Sequence, residues 1–466
     1  MLKCDVLYIH ATKNPVGEDH LRYAFVPVGL VGILNHLKSK DINVLALNFA
    51  IEKELDPNFN IPDALRDIEY KVLLTDLHWY EHSFGAIYVT DSSKNIHPDR
   101  PTVIGGYTTT IYAKEILENF PSVDYAVVGD SELPTEQLVQ YLLNQSNRSL
   151  SSIPNIYYRQ AGTICRSDVN WVQTSLEDLD CVNTDMFLHD ELFPKLGCGG
   201  AASQYRQQYI CVARGCKFNC IYCCGAKKNM ETLFQRCNIL LRSAPKLAED
   251  FIRVYKKGIK HVSPSHDMIM FGKAYYKELF AKIREYDIKG GLYLECFQLP
   301  TKDYIDEIAS TFDVKHTTLV LSPISGNEKL RQENGKLFSN EDFYETIEYI
   351  LSKGIYLQLY YTMNVYGETR EEYYDTYFQI KYCHDIYGLD AKHIFYQRIV
   401  LDPLAGMRDM DGIQVELNSF LDYYRYCQVP TGNFSYAGFE SNCEVSTKEK
   451  KETFYSLMGF ENISTD

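Results

Sequence analysis

The chain lacks an excess of positive charge. Its 466 residues carry 47 Lys and Arg against 62 Asp and Glu, a formal charge of −15. That argues against a phosphate-tracking nucleic-acid binder, which needs a basic face, and against a protein held on anionic lipid by basic charge. No apolar run reaches the ~18 residues that a membrane-spanning helix needs. The opening MLKCDVLYIHATKNP has one short apolar stretch and not the layout of a signal peptide. Internal repeats and low-complexity tracts are missing too. A soluble, cytoplasmic protein is expected, with neither a nucleic-acid nor a membrane partner. What the chain has is a globular composition, 45% apolar and 23% charged, with 37 Tyr and 23 Phe to fill a sizeable core. It also has 14 Cys. In a chain of this length without a secretion signal, crowded cysteines point to metal or redox chemistry. At roughly 150 residues per domain the length predicts two to four domains.

Residues 1–145 alternate strand and helix, which predicts a doubly wound parallel sheet of five strands. The strands are Asp5–Ile9, Asn43–Leu47, Lys71–Leu74, Thr102–Ile104 and Tyr125–Val128; the helices are Pro27–Lys38, Phe84–Lys94, Ala113–Phe120 and Leu133–Leu143. Residues 146–205 hold Asn/Ser runs and isolated Gly and Pro. They predict a linker with a small hairpin (Asn155–Tyr158, Thr163–Arg166) and a flexible end at Gly199–Ser203. Over 206–401 the alternation resumes with six strands, Gln208–Val212, His261–Ser263, Leu292–Phe297, Thr318–Ser322, Tyr356–Thr362 and His393–Leu401. Helices fit between them. Six are too few for a closed eight-fold barrel and predict a partial (β/α)6 barrel. Residues 402–466 are Tyr-rich and predict a small, mostly helical C-terminal cap.

The segment Gln208–Lys228 reads QYICVARGCKFNCIYCCGAKK and contains Cys216-x-x-x-Cys220-x-x-Cys223. Three thiolates on a loop just past a strand can converge on one metal face, and their softness selects Fe–S or zinc. Structural zinc wants four ligands, yet the sequence has no second C-x-x-C. Three cysteines leave one iron of a 4Fe–4S cluster open. Cys211 and Cys224 are the two candidates for a fourth ligand; Cys211 suits buried packing in its strand, and Cys224 points away from Cys223 on most local geometries.

Cys-x-x-x-Cys-x-aromatic-Cys, with Tyr222 as the aromatic residue, at the end of a barrel's first strand resembles the radical S-adenosylmethionine (SAM) superfamily. The resemblance implies that Cys216, Cys220 and Cys223 hold a 4Fe–4S cluster whose open iron binds SAM. Reductive cleavage of SAM then gives methionine and a 5′-deoxyadenosyl radical. Other segments are similar to the same family more loosely. Ser263-Pro264-Ser265-His266-Asp267 follows the second strand where the family has Gly-Gly-Glu, so Asp267 or Ser265 is the candidate near the SAM amino group. Glu295, near the end of the third strand, faces the barrel mouth as a catalytic candidate, against a plain surface salt bridge. Ser322-Pro323-Ile324-Ser325-Gly326-Asn327-Glu328, followed by Arg331 and Lys336, resembles the family's "E-S-G-x-E…R…K" with Ile324 in place of the first Glu. Ser322 or Ser325 would hold the ribose, and Glu328 joins the cofactor set; Glu328 and Arg331 would otherwise form a helix ion pair. Tyr366-Gly367-Glu368-Thr369 resembles a "P-G-E-T" turn, with Thr369 capping the next helix.

In the first domain, Gly105-Gly106-Tyr107-Thr108-Thr109 follows one strand and Gly129-Asp130-Ser131-Glu132 follows the next. Glycines there allow a backbone to approach a ligand, and ligands of doubly wound sheets bind at the strands' carboxyl ends. The pattern is similar to the cobalamin-binding domain of cobalamin-dependent radical SAM enzymes and, with the barrel, spans about 1–400. It implies a cobalamin site on Gly105, Gly106, Thr108, Gly129, Ser131 and Glu132, with His78, Trp79 and His82 around the corrin. The cobalt-ligating D-x-H-x-x-G is absent from the loop Ala11–Pro15. Asp76-Leu77-His78-Trp79-Tyr80-Glu81 begins in that way but ends in Glu. The resemblance implies methyl transfer to an unactivated carbon of a small-molecule substrate, fed by an external one-electron reductant of flavodoxin or ferredoxin type, with Tyr423, Tyr424 and Tyr426 closing the substrate space. The rivals are a radical rearrangement, cyclisation or oxidation with the same cofactors, and a non-catalytic Fe–S protein. A first domain that has lost its cofactor is the alternative for residues 1–145.

Overall fold

A computed structural model describes residues 2–17, 25–192, 207–399, 401–429, 439–440 and 445–459; Gly199–Ser203 lies outside them. The chain divides into two units, Met1–Arg206 with Lys228–Leu241 and Leu417–Phe434, and Gln207–Lys227 with Arg242–Glu416 and Ser435–Asp466.

The first unit is built on strands β1 (Val6–His10), β2 (Val44–Asn48), β3 (Val72–Asp76), β4 (Thr102–Gly105) and β5 (Tyr125–Val127), joined by β6 (Ile156–Gln160) and β7 (Thr163–Arg166). Their order in the sheet is β2-β1-β3-β4-β5-β6-β7. The first five strands are parallel, as the apolar runs predict for strands covered on both faces. The predicted linker hairpin is not a linker. Its strands extend the sheet antiparallel to β5, with Tyr125 opposite Tyr158. The physical reason is burial: Ile156 and Tyr158 join the core formed by Val6, Tyr8, Val103 and Val127, and they cover what would be an open edge. Two short helices missing from the sequence reading, Phe49–Leu55 and Ile61–Asp67, start where Asn48 and Asn60 accept hydrogen bonds from their first turns. The helix expected from Ala113 starts at Tyr107.

The second unit carries β8 (Gln207–Ile210), β9 (His261–Pro264), β10 (Gly291–Cys296), β11 (Thr318–Ile324), β12 (Tyr356–Thr362) and β13 (Ile394–Gln397). They pair in parallel and in simple sequential order. This is the partial (β/α)6 barrel, with helices between strands. Their starts are marked by the sequence: Ser243, Thr301, Asn327, Ser339 and Thr369 each accept a first-turn amide. Thr369 forms a full capping box with Glu372.

Residues 402–466 do not form one cap. Helix Phe420–Gln428 belongs to the first unit: Tyr423 lies 4.8 Å from Tyr80, Phe420 5.6 Å from Phe120 and Tyr424 5.6 Å from Phe84. The Glu115 carboxylate accepts from the amides of Phe420 and Leu421, the free donors of a helix start. Tyr423 and Tyr424 are thus packing residues of that unit, and Tyr426 lies under the Lys13 ammonium. Helix Thr447–Leu457 belongs to the barrel, where buried Lys450 donates to the Met363 carbonyl and pairs with Glu368.

Candidate active site

The cysteine loop leaves the carboxyl end of β8. Cys216, Cys220 and Cys223 are half-buried and unpaired with one another or with any described cysteine. Short backbone bonds coil the loop, Cys223 to the Cys220 carbonyl at 3.2 Å and Lys227 to the Phe218 carbonyl at 2.9 Å. Burial pushes the Cys223 thiol up to about 11, with Asp402 and the other two cysteines adding to the rise. Cys216 is raised by burial and by Cys220. Cys216 and Cys223 thus share a setting that disfavours a bare thiolate, and a cation replacing their protons would relieve it. The donor set therefore fits a thiophilic cluster. Tyr222 lies against Cys220, and burial raises its hydroxyl well above the usual range. The two possible fourth ligands are engaged elsewhere. Cys211 is buried, with its Sγ 3.9 Å from the Ala213 carbonyl, and Cys224 bonds the Asp402 carboxylate through its thiol as well as through its amide at 3.3 Å.

The loop is braced from two sides. From β9, the Val212 amide donates to Ser265 Oγ at 3.0 Å, Ser265 Oγ meets His266 Nδ1 at 3.0 Å, and His266 Nε2 meets the Gly215 carbonyl at 3.0 Å, next to Cys216. From the far end of the barrel, the Met407 amide donates to the Ile221 carbonyl at 2.7 Å, and Leu401, Ala405 and Met407 pack on Ile221 and Tyr222. Neither His266 nor Asp402 was singled out in the sequence. His266 was legible as the histidine beside Ser265; Asp402 carries no local signal.

Asp267 is fully buried, and its carboxylate accepts from the Phe297 and Ile269 amides and the Tyr304 hydroxyl. Burial raises it to about 6. These contacts support a role in tying β9 to the end of β10. Glu295 is accessible at the end of β10, yet burial raises its carboxyl while Lys336 opposes the rise. Among the described residues Glu295 forms no salt bridge, unlike the surface pair that its position would allow. Lys336 is the meeting point. Its Nζ donates to the Phe297 carbonyl at 2.9 Å, and its ammonium, lowered by burial, is pushed back up by Cys220, Cys296, Glu295 and Asp267. The cysteine loop, the end of β10 and the segment after β11 thus come together around one cation.

After β11 the other candidates divide. Ser325 is buried and bonded to Thr376 at 3.1 Å and to the Asn327 amide. Glu328 accepts from the Asn340 amide at 2.8 Å. Arg331 does not pair with Glu328; it is buried and donates to the Ser325 and Phe338 carbonyls and to Asn340. Gly326 is required here because a Cβ would stand 2.5 Å from the Asp375 carbonyl oxygen. Ser322 alone of this set stays accessible without a hydrogen bond that commits it locally. Ile324 sits at φ +60°, a strained conformation for a β-branched residue, just where the motif departs from the family.

At the carboxyl edge of the first sheet, Gly106 has φ +119°, and a Cβ there would meet Leu77 and His78 backbone at 2.7–2.8 Å. The close approach that demands this glycine is to the chain's own loop after β3. Thr108 serves the same contact, its hydroxyl donating to the His78 carbonyl at 3.0 Å. Gly129 has φ +68°, and Ser131 Oγ donates back to the Gly129 carbonyl; Gly105 is partly accessible and Glu132 is buried. Between these glycines Asp130 forms a buried ion pair with Arg236. His78 and Trp79 keep accessible surface and lie with Phe25, His82 and Tyr107 in an aromatic group, ring centroids 4.9–6.2 Å apart. Burial pushes His78 down to about 4. Accessible aromatic rings beside two glycine loops fit a flat, largely apolar macrocycle.

No protein-family model matches the chain. An uncharacterised methyltransferase of Pyrococcus horikoshii is 24% identical over 140 residues, 30% of this chain; the chain thus aligns with only 28% of that relative's length. The radical SAM methyltransferase TsrM from Kitasatospora setae, with cobalamin and a 4Fe–4S cluster bound, superposes with TM-score 0.69 at 14% identity over 98% of this chain and 91% of its own. The chain has the fold of the cobalamin-dependent radical SAM enzymes. OxsB, a cobalamin-dependent SAM radical enzyme with aqua-cobalamin and SAM bound, superposes with TM-score 0.63 at 10% identity over 96% of this chain and 66% of its own. With 98% of the chain covered, the superposition on TsrM takes in both the sheet of β1–β5 and the barrel of β8–β13. Among the described residues no helix is long and apolar enough to cross a membrane.

Proposed function

We propose that this protein is a cobalamin-dependent radical SAM enzyme, a methyltransferase acting on an unactivated carbon of a small molecule. One observation carries the reading: three unpaired, half-buried thiols on the one short loop after β8, with both spare cysteines engaged elsewhere. That is a three-ligand site with one coordination position left over. The bound groups would supply one-electron cleavage of SAM and a transferable methyl group, chemistry that acid–base side chains cannot offer an unactivated C–H bond. This chain's residues do the holding. Cys216, Cys220 and Cys223 ligate the iron, Tyr222 and His266 support the loop, and Lys336 with Glu295 and Ser322 line the adjoining recess. Gly105, Gly129, His78 and Trp79 form the corrin-facing edge. The accessible carboxyl of Glu295 is positioned to hold a proton or a cationic ammonium group of SAM or substrate. Two supports come from relatives: TsrM is known with a tryptophan substrate and a SAM analogue bound, a small-molecule pairing, and the Pyrococcus relative is called a methyltransferase. A cytoplasmic location and a flavodoxin- or ferredoxin-type electron donor complete the proposal, since the cluster needs reducing conditions.

A second reading has its own support. OxsB is described as a cobalamin-dependent radical enzyme without the word methyltransferase, so the same fold could serve a rearrangement or oxidation. Product counting separates the two. The chain is loaded anoxically with iron, sulfide and cobalamin, and metals are counted. About four irons and one cobalt per chain are expected. Turnover that yields S-adenosylhomocysteine together with 5′-deoxyadenosine supports methylation. Deoxyadenosine alone moves the assignment to the second reading. Iron without retained cobalt removes cobalamin from the proposal.

A further inference from the structure

Polar side chains are rare in the middle of a parallel sheet, yet three meet at its topological switch point. His10 ends β1 and Asp76 ends β3, the adjacent strands where the sheet order reverses. His82 joins them from the single-turn helix Tyr80–His82. Their relative exposures are 0%, 3% and 1%. One ligand atom from each, an imidazole nitrogen or a carboxylate oxygen, lies within 4.8 Å of the other two. We propose that His10, Asp76 and His82 form a binding site for a divalent first-row transition metal ion of the zinc class.

The donor set decides the class of ion. Two imidazoles and one carboxylate suit zinc, iron(II) or cobalt(II), whereas calcium and magnesium take oxygen ligands. One oxygen of the carboxylate is committed. Asp76 Oδ1 accepts the Tyr8 hydroxyl at 2.6 Å and faces His10 Nδ1 at 2.7 Å. Asp76 Oδ2 is buried and accepts no hydrogen bond. A buried carboxylate oxygen left open is an exception among native structures, and a cation would satisfy it. Tyr8 would then act as the outer partner that orients a ligating carboxylate. The rings of His10 and His82 meet edge to face at 5.1 Å, and Trp79 covers His82 at 5.7 Å. All three ligands belong to the first unit, none of them is a cysteine-loop residue, and the proposal stands whether or not the methyltransferase reading does.

The test uses the full chain with its iron–sulfur cluster reconstituted anoxically, free of cobalamin, dialysed against zinc. One zinc per chain is expected, and X-ray absorption should show only nitrogen and oxygen neighbours at about 2.0–2.1 Å. His82→Gln and Asp76→Asn should each weaken zinc binding at least about tenfold, with the fold of each variant checked by circular dichroism. Cys237→Ser, which removes an exposed thiol, should leave zinc binding unchanged. Zinc should also raise the Tm of the wild-type chain and not that of Asp76→Asn; the second variant and this measurement decide the matter if His82→Gln does not fold. A sulfur neighbour at about 2.3 Å, zinc uptake that survives both substitutions, or a folded wild-type chain that retains no zinc would each overturn the proposal.

Discussion

The carboxyl ends of the two parallel sheets are furnished in different ways. The barrel takes its cluster candidates from one short loop, residues 216–223, and surrounds them with Lys336, His266 and Asp402 from distant strand ends. The first sheet collects single residues from four loops: His10 after β1, the Asp76–His82 stretch after β3, Gly106 and Thr108 after β4, and Gly129–Glu132 after β5. In the barrel the chemistry is local and the support is remote. In the first sheet everything is remote, so the edge exists only when the strands are in register.

That contrast can be broken most sharply with the cysteines. Replacing Cys216, Cys220 and Cys223 by Ala should abolish iron retention and reduce SAM cleavage to background, while cobalamin binding to the purified chain persists; loss of both would show that the two ends are not independent. The reciprocal change is Gly106→Ala. Its Cβ would press on Leu77 and His78 backbone in a left-handed conformation, at a cost on the order of 3 kcal/mol. Cobalamin retention should fall with the local stability of the first unit, and the iron count should stay as in the wild type, as urea titration with metal analysis would report.

A third effect depends on pH. His78 has its folded pKa lowered from 6.5 to about 4 by burial. Its contribution to stability is therefore present above the unfolded value and is lost as pH falls from about 6.5 toward 4. Asp267 behaves in the opposite sense, being raised from 3.8 to about 6: its contribution is present below the unfolded value and is lost as pH rises through about 6. Hydrogen exchange between pH 6.5 and 4 should show the amides of Thr108 and Thr109, bonded to the His78 and Leu77 carbonyls, losing protection, a loss that His78→Gln flattens. In the same window the amides of Ile269 and Phe297, bonded to Asp267, should hold. Equal loss in both places would remove the distinction.

The smallest expected effect is on the brace behind the cysteines. His266→Gln should cost about 1–2 kcal/mol through the lost buried hydrogen bonds. It should leave iron bound but alter the electron paramagnetic resonance spectrum of the reduced cluster, since the Gly215–Cys216 loop relaxes. An unchanged spectrum would make His266 a packing residue only.

Several of these features were legible before the tertiary structure. The parallel strands follow from short apolar runs, and helix starts from Ser, Thr and Asn placed before them; Thr369 with Glu372 is one example. The cysteine spacing is a sequence pattern in itself. Other expectations changed. The hairpin after residue 155 reads as a linker because half of each strand is polar, yet Ile156 and Tyr158 close the edge of the first sheet. Gly105 and Gly106 read as a ligand cradle, whereas Gly106 answers to Leu77 and His78. Glu328 and Arg331 read as a helix pair and instead both turn to Asn340, Glu328 accepting from its amide and Arg331 donating to its side chain and to the Ser325 and Phe338 carbonyls.

The sequence by itself determined the two runs of alternating strands and helices and the cluster loop, because apolar periodicity, caps and close cysteine spacing act over a few residues. Only the tertiary structure decided that Lys336 reaches the Phe297 carbonyl, that helices Phe420–Gln428 and Thr447–Leu457 serve different units, and that His10, Asp76 and His82 converge. Those contacts join residues tens to hundreds of positions apart. Their energies depend on burial and register, which exist only once the strands have paired.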